Sequence, residues 1–109
     1  MTNMTTQFLN LRKKKKQIKE FLRDEKSRDI IKNNIDSRCL KLININDDSL
    51  ILKANKRLRD CNNDAFFDNI YIFLITVLNE YGLEIDSVSL SLITEINYNK
   101  DDYRIIIEL

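Results

Sequence analysis

One stretch, residues 63–82, limits the architectures open to this chain more than any other: NDAFFDNIYIFLITVLNEYG. Phe66, Ile70, Phe73, Leu74, Val77 and Tyr81 recur at the three- and four-residue spacing of a helix lying on a core. Phe67, Tyr71 and Leu78 widen that face, and Ile72 and Ile75 carry it toward the far side. A helix this apolar must be covered nearly all round. Asn63 or Asp64 is placed to cap its start, and Gly82 falls where a left-handed glycine would end it.

What could cover such a helix follows from the flanks. Residues 5–34 read as helix, with Thr5 or Thr6 as the cap and Phe8, Leu11, Ile18 and Leu22 as a narrow stripe that Lys15 interrupts. Residues 23–29 lack any apolar side chain, so a bend is expected there, with Ser27 capping a short second helix through Ile30, Ile31 and Ile35. Residues 38–45 and 49–54 read as two strands joined by the turn formers Asn46, Asp47, Asp48 and Ser49. Alternation is poor in the first of them, where Leu40, Leu42, Ile43 and Ile45 fall on both faces. Residues 55–62 are a polar, basic connection. Residues 86–98 have the cleanest strand pattern in the chain, with Val88, Leu90, Leu92, Ile96 and Tyr98 on one side. A turn at 99–102 leads to a last strand with Tyr103, Ile105, Ile107 and Leu109 on one face.

The expectation is an α+β fold of two layers, helix-hairpin-helix-hairpin, with a four-stranded antiparallel sheet packed on a central buried helix. Ile93 and Ile106 would lie on the open side of the sheet as a small apolar patch. A length of 109 residues suits a single domain, 1–109, in which 1–36 is a basic helical region and 37–109 supplies hairpin, core helix and hairpin. With no Pro and one Gly there is little to interrupt regular structure. The longest apolar run, residues 70–75, is too short for a bilayer, and no apolar segment follows the first charges as a secretory signal would require. The expected setting is cytoplasmic, without membrane contact, and Cys39 and Cys61 are expected to be free, half-buried thiols.

Reactive chemistry is hard to assemble from these residues. The chain has no His, which removes Ser–His and Cys–His pairs and most zinc sites. Its single Gly ends a helix, so a glycine-rich phosphate loop cannot form. Asp47–Asp48 and Asp101–Asp102 sit in turns that favour Asp for backbone reasons. Asn97, Asn99, Asp101 and Glu108 match four positions of a calcium loop, yet Asp102 stands where that loop needs Gly. No catalytic residue, metal site or cofactor is expected, and the chain is read as a non-enzyme.

Charge layout is the feature that bears on function. Sixteen of the eighteen Lys and Arg residues fall in the first 60 positions, whereas after them Lys100 and Arg104 stand against nine carboxylates. The candidate partner-binding residues are Arg12, Lys13, Lys14, Lys15, Lys16 and Lys19, with Lys53, Lys56, Arg57 and Arg59 as a second cluster that could converge on the first. Four consecutive lysines point in all directions around a helix, so a positive collar is expected, suited to phosphates or an acidic surface. Lys predominates over Arg, which favours charge attraction over base-specific bidentate contacts. No aromatic residue is interleaved with these charges, so base stacking is not indicated.

The chain is also rich in Ile, Asn and Lys, all encoded by AT-rich codons. The small size, lack of catalytic groups, AT-rich coding and dipolar charge resemble phage-type accessory proteins, including inhibitors of host defence such as anti-CRISPR proteins. This likeness is one of general character and rests on no motif. It implies a small binding protein that docks through its basic N-terminal helix on a nucleic acid or a protein–nucleic acid complex. The alternatives are a free-standing, non-sequence-specific DNA- or RNA-binding regulator, and a self-associating structural protein in which the positive half of one copy meets the negative half of another.

Overall fold

The structure, a computed structural model, describes residues 4–35 and 38–109. In chain order the elements are α1 (Met4–Arg23), α2 (Lys26–Ile35), β1 (Leu40–Ile45), β2 (Ser49–Ala54), α3 (Lys56–Arg59), α4 (Asn63–Tyr81), α5 (Ser87–Ile93), β3 (Glu95–Asn99) and β4 (Arg104–Glu108). The α+β class and the four-stranded antiparallel sheet agree with expectation. The helix-hairpin-helix-hairpin order is not reproduced as such: α2 is the short second helix expected after the bend, but α3 enters the connection after the first hairpin and α5 takes most of the expected third strand.

α4 is the apolar helix expected from residues 63–82. Ile70, Phe73 and Val77 have no exposed surface, and Phe66, Leu74 and Leu78 are buried with them. Its cap lies ahead of both expected positions, Asn63 and Asp64: Asn62 takes the extended conformation and its side chain accepts the Ala65 N–H at 2.8 Å. Gly82 closes the helix at φ 99°, in the left-handed region.

The bend between α1 and α2 falls at Asp24 and Glu25, and Asp24 organises it. Its carboxylate accepts the Lys26 N–H at 3.0 Å and the Tyr81 hydroxyl at 2.9 Å. Ser27 lies inside α2 rather than capping it; buried, it donates its hydroxyl to the Asp24 carbonyl at 2.7 Å. Likewise Thr5 and Thr6 lie within α1, not ahead of it.

Residues 87–93 are helical where a strand was expected. Asp86 caps α5 by accepting the Ser89 N–H at 2.7 Å and its hydroxyl at 3.0 Å, and the Ser91 hydroxyl donates to the Val88 carbonyl. Leu90 is buried, while Val88 and Leu92 are each 67% exposed, so the three do not share a face. Ile93 accordingly belongs to a helix and not to the open side of the sheet.

Sheet order is β1-β2-β4-β3, antiparallel throughout. Leu40, Leu50, Leu52, Ala54, Ile105 and Ile107 face the helices and join them in one core. The irregular pattern of β1 has a local cause. Its pairing with β2 shifts between Leu42 and Asn44, leaving Ile43 as an inserted residue. The bulge lets Leu40, Leu42 and Ile45 all pack toward the core.

On the open side of the sheet, pairing aligns side chains in three rows. Lys41, Lys53, Arg104 and Asn99 form one; Asn44, Ile51, Ile106 and Asn97 the next; Ser49, Glu108 and Glu95 the last. Tyr103, expected in the last strand facing the core, precedes β4 with φ 62° and is 36% exposed.

Candidate nucleic-acid interface

The expected collar on α1 is resolved into distinct faces. Arg12, Lys15, Lys16 and Lys19 stand at i, i+3, i+4 and i+7 and line one groove with Phe8 and Leu11. The opposite wall comes from Leu92, Ile93 and Thr94 at the end of α5, Glu95 at the start of β3, and Leu109. Phe8 and Leu92 are 60% and 67% exposed, so the groove is apolar along its walls and cationic along one rim. Lys14 faces away from it and donates to the Glu84 carbonyl, tying α1 to the segment after α4. Lys13 is exposed outside the groove.

Cations at i, i+3 and i+4 repel one another on a helix by a few tenths of a kcal/mol per pair. Local carboxylates could offset that. Among the described residues, however, the one ion pair within 4.0 Å joins Arg104 to Asp102 at 3.5 Å, far from α1 in the chain. Glu95 is the one acidic side chain lining the groove.

The second cluster lies elsewhere. Lys53, Lys56 and Arg59 line an open concavity of about 450 Å³ together with Lys41, Ala54, Asn55 and Tyr103. Lys53 stands in the cationic row of the sheet, whereas Glu95 and Leu109 of the α1 groove belong to its acidic end. The two clusters therefore do not converge; they occupy opposite ends of the sheet. Arg57 is exposed on α3 outside the concavity.

Two members of this second site were not singled out from the sequence. Lys41 lies directly across from Lys53 in the β1–β2 pairing. Tyr103 carries the Arg59 guanidinium over its ring, 3.9 Å from the centroid. Their positions come from hairpin register and from the positive φ of Tyr103, neither of which leaves a mark in residue spacing. The tyrosine gives the second basic segment an aromatic partner, and on α1 the Arg12 guanidinium lies over the Phe8 ring, 5.9 Å from its centroid.

Compared with protein-family models, with curated proteins and with solved structures, the chain shows no significant match. Its chemistry must be read from its own residues. Among the described residues no group of three or more His, Cys, Asp or Glu side chains is placed to hold a metal ion. In the last turn, the Asn99 side chain accepts the Asp101 N–H and Asp102 accepts the Arg104 N–H, so these groups serve the backbone. No described helix is long and apolar enough to cross a membrane. Cys39 and Cys61 are both free thiols, Cys39 half-buried and Cys61 exposed rather than half-buried.

Proposed function

We propose that this chain is a non-enzymatic binding protein that docks α1 on a nucleic acid or a nucleoprotein partner. The observation that carries this reading is the row of Arg12, Lys15, Lys16 and Lys19 on one helical face, outside any ion pair within 4.0 Å among the described residues. Such a row raises the energy of the free protein, and phosphates laid along it relieve the repulsion while releasing counterions. Phe8 and Leu92 beside the row add apolar contact area for a sugar, a base or a protein side chain.

The test is binding of a fluorescein-labelled 20-nucleotide single strand and the matching duplex between 50 and 200 mM salt, a length that more than covers the roughly 30 Å of α1. Affinity is expected to fall linearly on logarithmic axes. Replacing Lys15, Lys16 and Lys19 by Gln should reduce the slope by about 2 to 3. Capture of partners from lysate with and without nuclease separates naked nucleic acid from a nucleoprotein. Salt-independent binding that ignores the triple substitution would end the proposal.

A further inference from the structure

The structure assigns a second, independent site: we infer that the concavity formed by Lys41, Lys53, Lys56, Arg59 and Tyr103 holds one unpaired nucleotide of a single-stranded nucleic acid, its phosphate among the lysines and its base against the Tyr103–Arg59 stack. Three observations lead there, and none involves α1.

The first is charge. Four cationic side chains line the concavity and no carboxylate does. Lys41 and Lys53 are cross-strand neighbours, and Lys53 is paired on its other side with Arg104. Like charges directly opposite destabilise a sheet. Arg104 has Asp102 as a counterion, but no ion pair joins Lys41, Lys53, Lys56 or Arg59 to a carboxylate among the described residues. An anion seated between them would supply the missing countercharge.

The second is shape and surface. A volume of about 450 Å³ lies within the range of about 300–1,000 Å³ that small-ligand sites occupy. The Tyr103 ring and the Arg59 guanidinium lie against each other and present a π surface at the wall. Stacking on such a surface is how strands are held without sequence reading, because every base has a π face. A duplex cannot offer an unstacked base, so the occupant is single-stranded.

The third is local geometry at the end of the β3–β4 turn, where the Tyr103 carbonyl accepts the Ala54 N–H. Tyr103 holds φ 62°, a region bulky side chains rarely occupy, and Arg59 Nε is buried with no acceptor among the described residues. Cys39 holds a similar φ of 61° away from the stack, so it is the conjunction at one place of the turned-out Tyr103 ring and the unsatisfied Arg59 Nε that points to a ligand.

The experiment compares a labelled ten-residue oligothymidylate with an abasic oligomer of the same length and charge. The unaltered protein should bind the base-bearing strand more tightly. Tyr103→Asn removes the ring and tolerates the left-handed backbone. It should weaken oligothymidylate binding about 5- to 150-fold and leave the abasic strand unchanged, whereas Tyr103→Phe should keep the preference. Lys53→Gln, which relieves repulsion and so keeps the fold, should weaken both strands and lower the salt slope by about 0.7. Equal affinity for the two strands, or a Tyr103→Asn protein that folds and binds like the parent, would overturn the assignment; so would Lys53→Gln without effect. Substitutions on α1 should weaken both strands without changing their ratio, so the two sites fail separately.

Discussion

Gly82 is the one glycine of the chain, and its backbone conformation calls for it. Its φ of 99° lies in the region other residues avoid, although a Cβ there would meet nothing within 4 Å. Gly82→Ala should therefore cost about 1–2 kcal/mol through conformation alone, and Gly82→Asn less, as measured by urea denaturation. Asp24 makes a second residue-scale statement. The Lys26 N–H and then the Tyr81 hydroxyl hold its carboxyl below the usual range, and the same contact raises the Tyr81 phenol above its own. A depressed carboxyl contributes stability that is fully present above about pH 4 and is lost as pH falls through the folded pKa. A raised phenol contributes stability that is present below about pH 10 and is lost as pH rises through its folded value. Asp24→Asn should thus flatten the acid limb of a Tm-versus-pH curve and, by releasing the Tyr81 phenol, the alkaline limb as well, whereas Tyr81→Phe should flatten the alkaline limb and only part of the acid one, because the Lys26 N–H still holds Asp24 low. Asp86, held low by the Ser89 N–H and hydroxyl, leaves a residual acid slope in either variant.

Among the elements, α4 organises the rest, and its ends show how far local reading reaches. The apolar spacing of Phe66, Ile70, Phe73 and Val77 placed the helix, and the Gly82 stop was visible in the chain. The start was not, because Asn62, Asn63 and Asp64 are all good caps. The structure selects Asn62, so Asn62→Ala should cost about 0.5–2 kcal/mol in chemical denaturation while Asn63→Ala changes stability far less. In α5 the alternation of Val88, Leu90 and Leu92 with serines mimicked a strand. Asp86 and the serine hydroxyls turn that segment helical by satisfying N–H and C=O groups locally, a choice that hydropathy does not encode. In β1 the opposite holds: a pattern that looked unfit for a half-buried strand is regular once Ile43 is set aside as a bulge.

For the molecule as a whole, the net charge of +1 conceals a spatial separation of charge. Pairing places Lys41, Lys53 and Arg104 in one row of the open sheet face and Glu108 with Glu95 in another, four residues away along each strand. Such rows weaken the sheet where like charges meet. Lys53→Glu would face Lys41 and Arg104 with an opposite charge. It should therefore raise stability by about 0.2–1 kcal/mol per pair, seen as an upward shift in Tm, while weakening strand binding at the Tyr103 site. A protein made more stable and less able to bind by the same change is the expected signature of a surface kept for a ligand.

Periodicity and punctuation were enough for the buried helix, the bend after α1, the two hairpins and the uneven distribution of charge, because each depends on neighbours within a few residues. Register, the bulge, the helical turn at α5 and the meeting of Lys41, Arg59 and Tyr103 required the assembled fold. Those features arise from pairing between segments far apart in the chain, and such pairing is chosen by the common core rather than by any segment's own preference.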